Sequence, residues 1–381
     1  MKNVLVLVFS NLKHDARVGR QVSWLKTNHR VTVICFDSEN IPGVNIVRIR
    51  QTKLSFQRKG VLAAALLLRR FNLAFRIFHD YEPVIQNFQN TQYDLVVAND
   101  IDTLPLAFRM KSSKVLFDAH EYAPRHFENN RIWRLFFQPF YLALCRKYIP
   151  KVDAMLTVGE GLAREYERSF GIRPFIITNA TRYHEIEPSE VKAGRIRLIH
   201  HGIANESRRL ELMIELMKHL DERFTLDLIL MTSDYASRKT KRYIQELKNK
   251  IAAIPRIKVL PPVQSHQVVE AINGYDIGVF LIPPVNFNYA NTLPNKLFDF
   301  IQARLGVAIG PTPEMAAIVS RFSNGVVSEN FQPTALAQKL NNLKQEEVIR
   351  FKRQSTLAAR ELNAEKNEVT FNSVVNKLME R

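Results

Sequence analysis

The chain is poor in cysteine, holding only Cys35 and Cys145 in 381 residues, with no paired spacing that suggests a metal site. That excludes a small disulfide-stapled scaffold and points to a reducing compartment. Hydrophobic runs are short: Val61 to Leu68 stops at Arg69-Arg70, far below the roughly 20 residues that cross a bilayer. The apolar stretch Val4 to Phe9 gives way at once to Ser10-Asn11-Leu12-Lys13-His14-Asp15, so it reads as a first strand rather than a signal peptide. Glycine is sparse, and no G-x-G-x-x-G follows a strand-like run, which argues against a dinucleotide cofactor. Acid is scarce as well. Against 54 Lys and Arg stand 37 Asp and Glu, a formal net charge of +17, which calls for an acidic partner such as nucleic acid, anionic lipid or a phosphorylated substrate. Zinc-finger spacing, an aromatic RNA-binding signature and a long basic tail are all missing, so nucleic acid ranks low.

What the sequence does hold is a rhythm. Short apolar runs such as Val4 to Phe9, Val31 to Phe36, Leu95 to Ala98, Val115 to Phe117, Met155 to Val158 and Phe175 to Thr178 alternate with longer helix-compatible segments. This is the pattern of parallel βαβ units, and runs without polar alternation are strands buried on both faces. The rhythm lapses from Thr181 to Gly194 and restarts through Ile196 to Ile199, Leu226 to Met231, Ile257 to Leu260, Ile277 to Ile282 and Val307 to Ile309. The chain is also long for one core. The expectation is an α/β protein of two doubly wound, Rossmann-like domains facing across a cleft: 1–181, a linker over 182–194, and 195–363, with a C-terminal helix over 364–381 returning to the first domain.

In doubly wound sheets ligands gather beyond the carboxyl ends of strands, and the chemistry-bearing residues fall there. The loop His14-Asp15-Ala16-Arg17 follows the first run; Asp15 reads equally well as a helix cap and Arg17 as the partner of a nearby acid. Asp100 and Asp102 could share a hard cation or cap the helix near Leu104, and the cap is preferred, so no metal is predicted. Phe117-Asp118-Ala119-His120-Glu121 places an imidazole between carboxylates at a strand end, fit for proton exchange or hydrogen-bond donation. His200-His201-Gly202 closes a second-domain strand, with Arg208 and Arg209 near the next helix start, a combination suited to a diphosphate. Pro294-Asn295-Lys296-Leu297-Phe298-Asp299 leads into an apolar helix; Pro294 suits a helix start, Lys296 would meet an anion and Asp299 a sugar or ribose hydroxyl.

Taken together, His14-Asp15-Ala16-Arg17-Val18, Asn99-Asp100-Ile101-Asp102-Thr103-Leu104-Pro105, Phe117 to Glu121, His201-Gly202, and Pro294 to Asp299 followed by Gly306-Val307 resemble glycosyltransferase family four, the retaining GT-B family, in its bacterial surface-polysaccharide branch. The resemblance implies a hexosyl-type transferase that moves a sugar from a nucleotide-sugar donor to a saccharide or polyprenyl-linked acceptor. It implies no metal and no cofactor, the nucleotide-sugar being a substrate. It places His120 as the catalytic residue near the transferred sugar, and Gly202, Arg208, Arg209, Asn295, Lys296 and Asp299 at the donor. His14, Asp15 and Arg17 go to the acceptor-side loop. Two positions depart from the family pattern: Asn291 and Asp299 stand where a spaced pair of glutamates is common, and Ile203 where a basic residue often follows the glycine. These departures keep a non-catalytic GT-B accessory subunit open as an alternative, beside a nucleotide-sugar 2-epimerase.

The basic residues of the first domain cluster. Lys53, Arg58, Lys59, Arg69, Arg70 and Arg76 interleave with apolar residues, and Arg131-Ile132-Trp133-Arg134-Leu135 repeats the pattern, continuing to Arg146-Lys147. Helices of this kind can lie on anionic lipid, so the expected location is cytoplasmic, peripheral on the inner face of the cytoplasmic membrane; the alternative is an apolar core with a solvated charged face.

Overall fold

A computed structural model describes residues 1–79, 81–88, 90–231 and 237–380. The chain divides into two compact units: unit 1 is 1–178 with 286–288 and 367–381, and unit 2 is 179–285 with 289–366. Arg381, the last residue of the expected C-terminal helix, lies outside the described residues.

Unit 1 is built on a parallel seven-stranded sheet made of β1 (Asn3–Leu7), β2 (Arg30–Cys35), β3 (Val44–Arg48), β4 (Leu95–Asn99), β5 (Val115–Ala119), β6 (Ala154–Thr157) and β7 (Phe175–Ile176). Their spatial order is β3-β2-β1-β4-β5-β6-β7. Val4 to Leu7 are fully buried, as a strand covered on both faces must be. β3 has no such run; its residues are half-buried or exposed at the sheet edge, which is why its sequence carries no strand signal. The sheet order reverses between β1 and β4, so the loops after these two strands open the crevice where doubly wound sheets take ligands.

The helices that matter for unit 1 are α1 (Ala16–Lys26), α2 (Phe56–Leu67), α3 (Phe71–Phe78), α4 (Arg131–Tyr148) and α5 (Glu160–Phe170). All but α3 begin or end for a local reason. Asp15 caps α1 by accepting from Val18 N at 3.1 Å, Ser55 caps α2, and Asn130 caps α4. Gly171, with φ 73°, ends α5 in the left-handed conformation. Both cysteines are buried and free.

Unit 2 repeats the plan. Its strands β8 (Ile196–Ile203), β9 (Phe224–Met231), β10 (Ile257–Leu260), β11 (Ile277–Phe280), β12 (Gly306–Ile309) and β13 (Gly325–Val327) lie in the order β10-β9-β8-β11-β12-β13. They are covered by α6 (Glu211–His219), α7 (Asn295–Gln302) and α8 (Gln345–Glu361), and the last helix, α9, runs Ala364–Met379. Its residues from 367 on belong to unit 1, where Phe371 is fully buried with its ring 5.3 Å from Trp24. Gly278 on β11 is obligatory because a Cβ there would fall 2.2 Å from the Phe300 ring.

The stretch 182–194 has neither helix nor strand, yet it is not a free linker. His184 is buried, with Nδ1 2.9 Å from Glu270 Oε1 and its N–H donating to Gln302 Oε1 at 3.1 Å. Arg304 donates to its carbonyl at 2.5 Å. Charged, proline-broken sequence thus reads as coil while its polar groups anchor it to unit 2.

Candidate functional site

In unit 1 the residues beyond β4 and β5 converge on His120. Its Nδ1 lies 3.4 Å from Asp100 Oδ2, its Nε2 is 3.6 Å from Asp118 Oδ2 and 3.2 Å from Asn99 Oδ1, and its backbone N–H donates to Asp100 Oδ1 at 3.2 Å. Desolvation works against the imidazolium, but the two carboxylates outweigh it and push the pKa up to about 9. The ring is therefore charged at neutral pH and a donor on both nitrogens.

Asp100 holds this position at a cost. Its φ of 60° and ψ of 157° lie in a region essentially reserved for glycine, a strain of about 1–3 kcal/mol that tends to collect at functional sites. Neither Asp100 nor Asp102 provides a side-chain cap, which corrects the preferred reading of this pair. Asp102 instead meets His79 Nε2 at 2.9 Å, so the two carboxylates serve different histidines. Among the described residues no group of three or more His, Cys, Asp or Glu side chains is placed to hold a metal ion.

Arg17 is not turned to an acceptor. It is buried, and its Nε and Nη2 donate to the two Asp118 oxygens at 2.8 and 2.7 Å. Gln21 donates to the same carboxylate. Burial alone would raise the Asp118 pKa, but Arg17 and His120 hold it well below the usual carboxylate range. Arg17 thus holds Asp118, a partner 101 residues away in sequence, and Asp118 in turn faces His120. Asp15 serves as a cap and also accepts from Ser10 Oγ at 2.8 Å; the exposed His14 ends the one-turn helix before it.

In unit 2 the cluster forms where β8 and β11 diverge. Gly202 has φ 134°, and a Cβ on it would lie 2.9 Å from Lys296 Nζ. The ammonium is buried, 4.3 Å from the centre of the Phe280 ring. Burial, and then the positive charge of Arg208, push the Lys296 pKa well below its ordinary value. Arg208 sits over Tyr289 at 5.8 Å, and its buried Nε has no hydrogen-bond partner among the described residues. His200 bonds the Val279 carbonyl through Nδ1 at 2.8 Å, leaving Nε2 buried and unpartnered among the described residues. His201 lies 3.4 Å from Asp299 Oδ2; burial first, then Lys296, bring its pKa down to about 3.

Crowding cations in a desolvated spot is unfavourable until an anion arrives. Lys296 and Arg208 are crowded in this way, beside two histidines that burial keeps neutral. Asn295 is exposed at the first position of α7, with Pro294 in the cap position one residue earlier than a first-turn proline. Arg209 does not join the cluster: it is exposed, with φ 47°, and its Nε is 3.4 Å from Glu211. The sequence reading did not name Asn99, Asp118 or Tyr289 as site residues, although Asn99 and Asp118 stood in the strand-end motifs it singled out and only Tyr289 carried no signal. A cavity of about 840 Å³ in unit 1, lined by α3, α4 and neighbouring residues, contains none of the candidate residues.

No protein-family model and no curated protein sequence matches the chain. Solved structures do. Sucrose-phosphate synthase from Thermosynechococcus elongatus is similar at TM-score 0.74 and 11% identity, over 100% of both chains. An E. coli structure described as trehalose-6-phosphate bound with UDP-2-fluoro glucose is similar at TM-score 0.69 and 11% identity, over 100% of this chain and 99% of that one. Anabaena HepE in complex with UDP-glucose is similar at TM-score 0.68 and 12% identity, over 99% of this chain and 100% of that one. Two parallel sheets, each in the doubly wound order, and this full-length likeness to GT-B glycosyltransferase structures give the chain the GT-B fold.

Proposed function

We propose that the protein is a retaining, metal-independent glycosyltransferase that moves a hexosyl group from a nucleotide-sugar to a saccharide or lipid-linked acceptor in cell-surface polysaccharide synthesis. The observation that carries this reading is the buried cation cluster of Lys296 and Arg208 beside Gly202. A leaving nucleoside diphosphate accumulates negative charge as the anomeric C–O bond breaks, and fixed cations in a desolvated site stabilise it without reorganisation. His120, held charged by Asp100 and Asp118, is read as contributing positive charge rather than a free hydrogen-bond donor to the transfer. The neighbours that carry UDP or UDP-glucose support a uridine nucleotide as the first donor to try.

The test is a thermal-shift screen of nucleoside diphosphates and their sugars on the folded chain, since a ligand that binds only the native state raises its melting temperature. The expected result is a shift with at least one nucleotide that Lys296→Ala abolishes. A second reading, a non-catalytic GT-B accessory subunit, is favoured by Asp299, which lies against His201 where the family commonly has glutamate. It gains if no nucleotide shifts a well-folded sample. A 2-epimerase gains if a nucleotide-sugar is turned over with no acceptor.

A further inference from the structure

Most amphipathic helices bury their apolar stripe and show charge to water. α2 does only half of this. Leu62, Ala65 and Leu66 enter the unit 1 core, but the outward face is apolar too. Phe56 is 92% exposed and Leu68, just past the helix, 73% exposed. Val61 and Leu67 are exposed as well, and Gly60 and Ala64 lie between them. Spacing of three and four residues puts most of these on one side of the helix. Gln57 is the one polar residue on that face and no charged side chain interrupts it: Arg58 and Lys59 flank it, and Arg69 and Arg70 close its end. Leu73 on α3, and Ile132 and Leu135 between the arginines of α4, are exposed in the same manner. A contiguous apolar face with a basic border marks a contact surface rather than solvated helix.

Charge decides the occupant. Between Glu39 and Asp80 the sequence has no aspartate or glutamate, against eight lysines and arginines, and α4 has no acid at all. A second copy of a chain with net charge +17 would bring like charges together. An anionic bilayer satisfies both halves of the pattern, taking the apolar side chains into the acyl boundary and the guanidinium and ammonium groups among its phosphates. We propose that the outward face of α2, continued by Leu68, docks on an anionic lipid surface. The proposal goes beyond the transferase reading and does not rest on it.

The test is flotation of the full chain with vesicles of phosphatidylcholine alone and of phosphatidylcholine mixed with phosphatidylglycerol, with no nucleotide present. The expected result is capture by the anionic vesicles, release as salt rises, and little binding to the neutral ones. Phe56→Glu combined with Leu68→Glu should cut capture by at least about tenfold, because two charges must then enter the apolar boundary. Val369→Glu, at an exposed apolar residue outside the patch, should not. Unchanged melting temperatures show that the variants fold, and Arg69→Ser with Arg70→Ser, which leaves the apolar face intact, should weaken the salt dependence. Failure of the wild type to float at low salt, or capture of the double glutamate variant at the wild-type level, overturns the proposal. So does a wild-type dimer in light scattering that the same variant dissolves, since a second copy would then own the face. A nucleotide thermal shift that persists alongside any of these leaves the transferase reading standing.

Discussion

Lys296 places its ammonium where a side chain at position 202 would have to be: a Cβ on Gly202 would come within 2.9 Å of Nζ. The glycine and the lysine are 94 positions apart in the numbering, and each makes the other's position usable. Gly202→Ala should therefore displace the ammonium and strain a backbone with φ 134°. Nucleotide affinity should fall about tenfold or more, equivalent to about 1.4 kcal/mol, in a titration by calorimetry.

His120 should titrate near pH 9 by NMR of its ring carbons, because Asp100 and Asp118 oppose the desolvation of the imidazolium. Asp100→Asn keeps the size of the side chain but removes a charge, and should lower that pKa by roughly a unit. The sign for stability follows from the raised value. The favourable contribution of the imidazolium is complete below the unfolded pKa near 6.5, and it is lost as pH rises through about 9. Transfer activity that depends on the charged ring should decline over the same alkaline window, and a rate flat to pH 10 would remove His120 from that role.

Arg17→Ala should leave the buried Asp118 carboxylate without its bidentate partner. Loss of one member of a buried pair costs about 3–5 kcal/mol, visible as a lower denaturation midpoint in urea. A ligand-contact role for Arg17 predicts instead a raised KM with unchanged stability.

Phe371→Ala should be among the costliest single changes in α9. The ring is fully buried against Trp24, and truncations of this kind cost about 3–5 kcal/mol. Proteolysis near the C-terminus should quicken in the variant if the helix is held by this contact.

Much of the fold was legible because it rests on local physics. Strands buried on both faces carry unbroken apolar runs, so β1 and β4 announced themselves, and β2 and β8 did so through runs that one polar residue interrupts. The edge strands β3 and β13 did not: they are short and half-exposed, and a few mixed residues carry no periodicity to read. The coil from Thr181 to Gly194 was legible as irregular but not as anchored, because its hydrogen bonds to Glu270 and Gln302 join positions that no local pattern connects.

The site divides in the same way. Sequence by itself determined which residues stand at strand ends and helix starts, since strand, helix and loop are set by neighbours along the chain, and so His120, Gly202, Arg208 and Lys296 could be named. Only the tertiary structure decided what each one meets. Arg17 was spent on Asp118, Asp102 on His79 and Arg209 on Glu211, because a charged side chain's role is set by the desolvated partner it reaches in space. It also decided which face of α2 looks outward, a question of burial that an apolar-on-both-sides helix leaves open in its sequence.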